Sequence, residues 1–144
     1  MVKSARRLAR EGVVQGLYSW QMTGDTMAHI SQHILSQNHM ARADMPLMKS
    51  YLQGIHDAIE ELNVFVAPYL DRDLDSVSPI EKSILWLAAY ELRHSLDTPF
   101  RVIINEAVEI AKSFGATDGH KYINGVIDKM ALDVRPKEVK LIKG

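Results

Sequence analysis

Ser78-Pro79-Ile80-Glu81-Lys82-Ser83-Ile84-Leu85-Trp86-Leu87-Ala88-Ala89-Tyr90-Glu91-Leu92 marks out both the start of a helix and its place in a fold. Serine suits the N-cap, proline the first helical position, and glutamate three residues after the serine closes a capping box. Ile80, Ile84, Leu85, Leu87, Ala88 and Leu92 are apolar, and Trp86 and Tyr90 occupy the remaining side. A helix with so little polar face needs neighbours on several sides, which predicts a central helix. Glu91 falls inside the apolar arc and requires a structural partner there.

Working outward, the apolar spacing stays helical and no alternating strand pattern interrupts it, so the fold class is all-α. On the C-terminal side, Thr98-Pro99 opens a helix buried through Ile103, Ile104, Ala107, Val108 and Ala111 and ended by Gly115. A further helix opens at Thr117 or Asp118 and buries Ile123, Val126, Ile127 and Met130. On the N-terminal side, Asp44 and Pro46 start what reads as the longest helix. Met48, Leu52, Ile55, Ile59, Leu62, Val66 and Tyr69 alternate four- and three-residue steps along it, a heptad-like seam. A helix at 25–37 buries Met27, Ile30 and Ile34, and a helix at 4–22 carries the small stripe Ala5, Ala9, Gly12 and Gly16. Two glycines inside a helix disfavour it by about 1 kcal/mol each, so the stripe predicts close approach of a neighbour. No polar linker divides the chain. We read 1–134 as one helical domain and 135–144 as a frayed basic tail.

Composition narrows the function. With 144 residues, 47% of them apolar, the chain can bury a real core. The absence of cysteine removes disulfides, thiolate metal sites and a thiol nucleophile, and suits a cytoplasmic protein. No apolar run approaches the roughly twenty residues of a membrane span, and no apolar stretch follows the N-terminal charges as in a signal peptide. His29 and His33 stand four apart on a helix, but position 30 is isoleucine and no third ligand accompanies them. Glycine-rich phosphate loops and a nucleophile elbow are missing, and Glu60 with Glu61, or Glu106 with Glu109, reads as a solvated face or internal pairing. These features predict a protein that is not an enzyme and carries neither cofactor nor metal.

Charge is unevenly placed. Lys plus Arg number 17 and Asp plus Glu 18, a net charge of -1. Lys3, Arg6, Arg7 and Arg10 open the chain, and Arg135, Lys137, Lys140 and Lys143 close it; Asp71, Asp73 and Asp75 sit between with only Arg72 against them. On a helical wheel, Lys3, Arg6, Arg7 and Arg10 share one arc, continued by Val14, Tyr18 and Gln21, away from the small stripe. Arginine forks fit phosphates, and an exposed ring can stack on an unpaired base. From the wheel alone, a solubilising basic face explains the arc equally well. Tyr18 favours a binding role, for RNA or at the edge of a protein-binding patch.

The run Arg6-Arg7-Leu8-Ala9-Arg10-Glu11, leading into Gln15-Gly16-Leu17-Tyr18-Ser19-Trp20-Gln21, resembles the N-terminal motif of the bacterial NusB family. Glu81-Lys82-Ser83-Ile84-Leu85, Ala89-Tyr90-Glu91-Leu92, the run 104–115 and the run 118–126 resemble further motifs of that family, in family order. The resemblance implies a single compact helical domain of two packed three-helix sub-bundles. It implies a transcription antitermination factor that pairs with the small-subunit ribosomal protein NusE. The pair binds boxA-type single-stranded RNA in nascent ribosomal RNA transcripts and joins RNA polymerase. By position, Arg6, Arg7 and Arg10, flanked by Lys3, would contact RNA together with Lys121, Tyr122 and Asp118. Tyr18, Asp75 and Glu81 would face the NusE-type partner. Leu8 stands where some members carry a further base, Tyr122 where phenylalanine is common, and Asp75 where some relatives have glutamate. The alternative is a helical adaptor or homodimer that does not touch RNA.

Overall fold

The computed structural model describes residues 2–114 and 118–143, and they are helical nearly throughout, with no strand among them. The chain divides into two compact units, Met1–Ile59 and Glu60–Gly144.

The first unit holds α1 (Ala5–Thr23), α2 (Met27–Leu35) and α3 (Met45–Asp57). Each start is set by a short polar side chain accepting from a backbone N–H: Ser4 from Arg7, Thr26 from His29 and Asp44 from Leu47. Gly24 ends α1 at φ 69°, in the left-handed region where glycine is unstrained. Helix α1 packs on both α2 and α3, and the small stripe makes this possible. A Cβ at Gly16 would lie 3.0 and 3.1 Å from the Leu52 methyls and 3.2 Å from Ile34 Cδ1. Leu52 and Ile34 are themselves buried, so neither yields easily. Gly16→Ala should therefore destabilise by about 1 kcal/mol, overpacking outweighing the gain in helix propensity. Gly125, exposed within a later helix with open space beside it, should do the reverse: Gly125→Ala should stabilise by roughly 0.5–1 kcal/mol. Urea unfolding of the two variants checks the sign of each.

The predicted longest helix is interrupted. Helix α3 stops at Asp57, Ala58 leaves helical geometry at φ -103° and ψ 15°, and α4 (Ile59–Val66) begins at once, running into a 3-10 turn at Ala67–Tyr69. The seam continues undisturbed, with Ile55, Leu62 and Val66 all buried, so apolar spacing alone could not reveal the break. The boundary between the units falls at this point, not at a polar linker.

In the second unit, α5 (Pro79–His94), α6 (Phe100–Ser113) and α7 (Gly119–Val134) pack on one another. Half of the expected capping box is present at α5: Ser78 Oγ accepts from Glu81 N–H, but the Glu81 carboxylate accepts from the Ser78 hydroxyl at 2.7 Å, not from its backbone N–H. Ser83 to Ala89 are buried without a gap, together with Glu91 and Leu92, as the central-helix reading requires. Trp86 Nε1 donates to Asn63 of α4 at 2.7 Å. Tyr69 donates to Asp133 at 2.6 Å, which pushes its phenol up to about 12. Gly115 and Thr117, expected to end α6 and open α7, lie outside the described residues.

The segment expected to fray is instead ordered as α8 (Pro136–Lys143), with Val139 buried. Arg135, just before it, is also buried. Its guanidinium donates to the carbonyls of Glu91, Leu92, Ser95 and Thr98 and to the Glu138 carboxylate. Glu138 in turn accepts from Phe100 N–H at 2.9 Å, supplying the N-terminal cap that Pro99 cannot provide to α6. Arg135 and Glu138 thus clamp the corner between α5 and α6. A lysine-rich composition concealed this, because among residues 135–141 only Arg135, Glu138 and Val139 are buried or half-buried.

Candidate nucleic-acid interface

In the first unit the cations divide according to how far along α1 they stand. Lys3 and Arg6 are exposed and Arg7 is half-buried, whereas Arg10 is 3% exposed. This corrects the wheel, which put Arg10 and Val14 on the outer arc; Val14 is fully buried. Buried positions Ala9, Arg10, Gly12, Val13, Val14, Gly16 and Leu17 sweep roughly 200° of the helix at 100° per residue, so a second side of α1 is covered. Lys3 and Arg6 escape because they stand at the open end of the helix. The Lys3 ammonium pairs with Glu11 at 2.9 Å. A 380 Å³ recess lined by Val2, Lys3, Ser4 and Arg7 lies at this helix start, where cations and the positive end of the helix dipole coincide. Tyr18 is 37% exposed, and Met22, one turn on, is 52% exposed. Met22 was not singled out from the sequence, although its four-residue spacing from Tyr18 was the available signal.

In the second unit Asp118 is the residue before α7, but its side chain makes no capping bond there, contrary to the role its position suggested. It faces Lys121 instead, 3.9 Å away, and both side chains are largely exposed. Tyr122 is half-buried, and its buried hydroxyl stands close to Asp71. Burial first, and the Asp71 carboxylate second, push its phenol pKa up. The ring is not bare: the Arg72 guanidinium stands over it, 4.3 Å from the centroid. Arg72 pairs with Asp71 at 2.7 Å, and this bond holds the Asp71 carboxyl below its usual range. Arg72 was read from the sequence only as a counter-charge to its acidic neighbours. Asp75 is exposed on a 3-10 turn (Leu74–Ser76), and Glu81 is half-buried with one oxygen engaged by Ser78.

Among the described residues, no three His, Cys, Asp or Glu side chains gather as they would to hold a metal ion, and no helix is long and apolar enough to cross a membrane. His29 Nδ1 lies 3.3 Å from Asp25, an ordinary exposed pair.

The family model described as the NusB family matches residues 7–132. The transcription antitermination protein NusB of Chromobacterium violaceum is 48% identical over 139 residues, covering 96% of this chain and 93% of its own. The chain belongs to the NusB family. Among solved structures, NusB of T. maritima is similar with a TM-score of 0.81 at 26% identity, covering 97% of this chain and 99% of that one. A crystal structure of antitermination factors NusB and NusE in complex with dsRNA gives 0.76 at 19% identity, over 88% of this chain and 95% of that one, a likeness of fold. Two consequences follow for the NusB reading. Its fold class is all-α, with three helices in the first unit and a three-helix core, α5 to α7, in the second. The family match ends at 132, so the Arg135 clamp lies beyond the matched segment.

Proposed function

We propose that this NusB-family chain binds boxA-type single-stranded RNA together with a NusE-type ribosomal protein, and acts in antitermination complexes of RNA polymerase on ribosomal RNA transcripts. It works in the cytoplasm and catalyses no reaction. The observation that carries the RNA assignment is the recess at the start of α1, where Lys3 and Arg7 line the wall and Arg6 is exposed beside them. Such a site takes phosphate oxygens, and it orients a strand without reading its sequence. In the second unit Lys121, Tyr122 and Asp118 form the companion surface, with Lys121 contributing charge. Tyr18, extended by Met22, with Asp75 and Glu81, serves the protein partner.

The test is a titration of labelled boxA-type RNA with the chain, alone and with the ribosomal partner, at several salt concentrations. The double variant Arg6→Ala/Arg7→Ala should bind roughly tenfold or more weakly and lose about two ions from the salt slope. An unchanged affinity and slope would exclude this surface. Light scattering addresses the homodimer alternative: a dimer too stable to be opened by RNA and partner would replace the heterodimer reading.

A further inference from the structure

On the reading above, Tyr122 belongs to the second RNA surface, and Arg72 already occupies one face of its ring. Arg72 Nε and Nη2 donate to the two oxygens of Asp71 at 2.7 and 3.3 Å. A guanidinium carries five N–H donors in a rigid fork, and this pairing uses one edge of it. The side chains of Arg72 and Asp71 are 44% and 61% exposed. An exposed carboxylate pair is held weakly and exchanges readily. An RNA phosphodiester offers the same fork geometry through its two non-bridging oxygens, at the same formal charge. The Tyr122 ring meanwhile holds the guanidinium 4.3 Å from its centroid, which restricts the side-chain freedom left to be lost on binding. Lys121, the neighbouring residue in the first turn of α7, adds a second exposed cation.

We propose that Arg72 is a further RNA-binding residue, which stays on the Tyr122 ring while its fork exchanges the Asp71 carboxylate for an RNA phosphate. This rests on the assignment of Lys121 and Tyr122 to the RNA surface. Asp71 acts in two ways. It holds the guanidinium in place before RNA arrives, and its ionised carboxylate competes with the phosphate. The Arg72 hydrogen bond holds the Asp71 carboxyl below its usual range, and the competitor is ionised at neutral pH, as an unperturbed aspartate also is.

The experiment titrates the same boxA-type strand with full-length variants in the presence of the ribosomal partner. Arg72→Ala should weaken binding roughly fivefold and reduce the salt slope by about one ion. Arg72→Lys should recover only part of this, because an ammonium cannot present the fork. Asp71→Asn should tighten binding about two- to threefold by removing the competing charge. It also retains Arg72, so it tests the exchange even where Arg72→Ala perturbs folding. Unchanged or tighter binding by Arg72→Ala would overturn the proposal, the tighter result marking Arg72 as a cover over the Tyr122 face. Unchanged or weaker binding by Asp71→Asn would overturn the exchange. Arg6→Ala/Arg7→Ala is measured in parallel. Loss there with none at Arg72 refutes this inference alone; no loss at either refutes the RNA surface itself.

Discussion

Arg135→Met is expected to destabilise the protein by about 4 kcal/mol. Each of the five guanidinium N–H groups has a partner: four carbonyls at the end of α5 and the turn after it, and the Glu138 carboxylate. Ending a helix leaves carbonyls without intrahelical partners; here a buried cation facing the negative end of the helix dipole donates to Leu92 O and Thr98 O and adds a second bond to Glu91 O and Ser95 O. Methionine keeps most of the apolar stem, so packing is nearly preserved and the loss isolates the hydrogen bonds. Ser95 N–H still reaches Glu91 O, and Thr98 N–H still reaches Ser95 O, so the corner is weakened but not stripped. Lys137→Ala, an exposed control two residues on, should change stability by about 0.5 kcal/mol or less. Urea unfolding of both variants checks the contrast. A loss below about 1 kcal/mol at Arg135 would mean that water replaces these bonds and that the clamp is dispensable.

What was legible in the sequence, and what was not, follows from where each signal resides. The starts of α1, α3 and α5 could be read because Ser4, Asp44 and Ser78 act on N–H groups three residues away. The all-round burial of α5 was legible because nothing polar breaks the run Ile84 to Ala89. Gly12 and Gly16 were informative because a glycine unfavourable to its own helix needs an external reason, and the contacts with Met48 and Leu52 supply it. Ala58 gave no such signal: one residue outside helical geometry changes no apolar spacing. Long-range polar pairings were equally silent. Arg135 meets carbonyls 37 to 44 positions away, and backbone acceptors leave no trace in residue identity. Arg72 on Tyr122 spans 50 positions between a loop and a helix start, and its neighbours Asp71 and Asp73 made it look merely neutralised. Exposure at helix ends, as at Lys3, Arg6 and Lys121, was therefore legible, and the surroundings of Arg10, Arg72 and Arg135 were not.

Arg10 is the plainest instance, and it yields the second large prediction. By its spacing from Arg6 it belongs with the RNA contacts, but at 3% exposure its guanidinium has almost no surface to offer a phosphate. It is not unpartnered in the folded chain, as a buried charge must not be. Its role is then to support α1 from within, holding the helix that presents Arg6 and Arg7. Arg10→Ala should cost about 3 kcal/mol of stability, because it removes a buried, partnered charge and leaves a cavity in its place. Arg7→Ala, from a half-buried position at the helix start, should cost less than about 1 kcal/mol but weaken RNA binding. The two arginines therefore separate on two axes. At a temperature where both variants are fully folded, Arg7→Ala should lower RNA affinity and flatten its salt dependence, and Arg10→Ala should leave the salt slope unchanged while lowering the urea midpoint. If Arg10→Ala instead flattens the slope with no loss of stability, the guanidinium must leave its buried site to meet RNA, and the first turn of α1 is not the limit of the phosphate path.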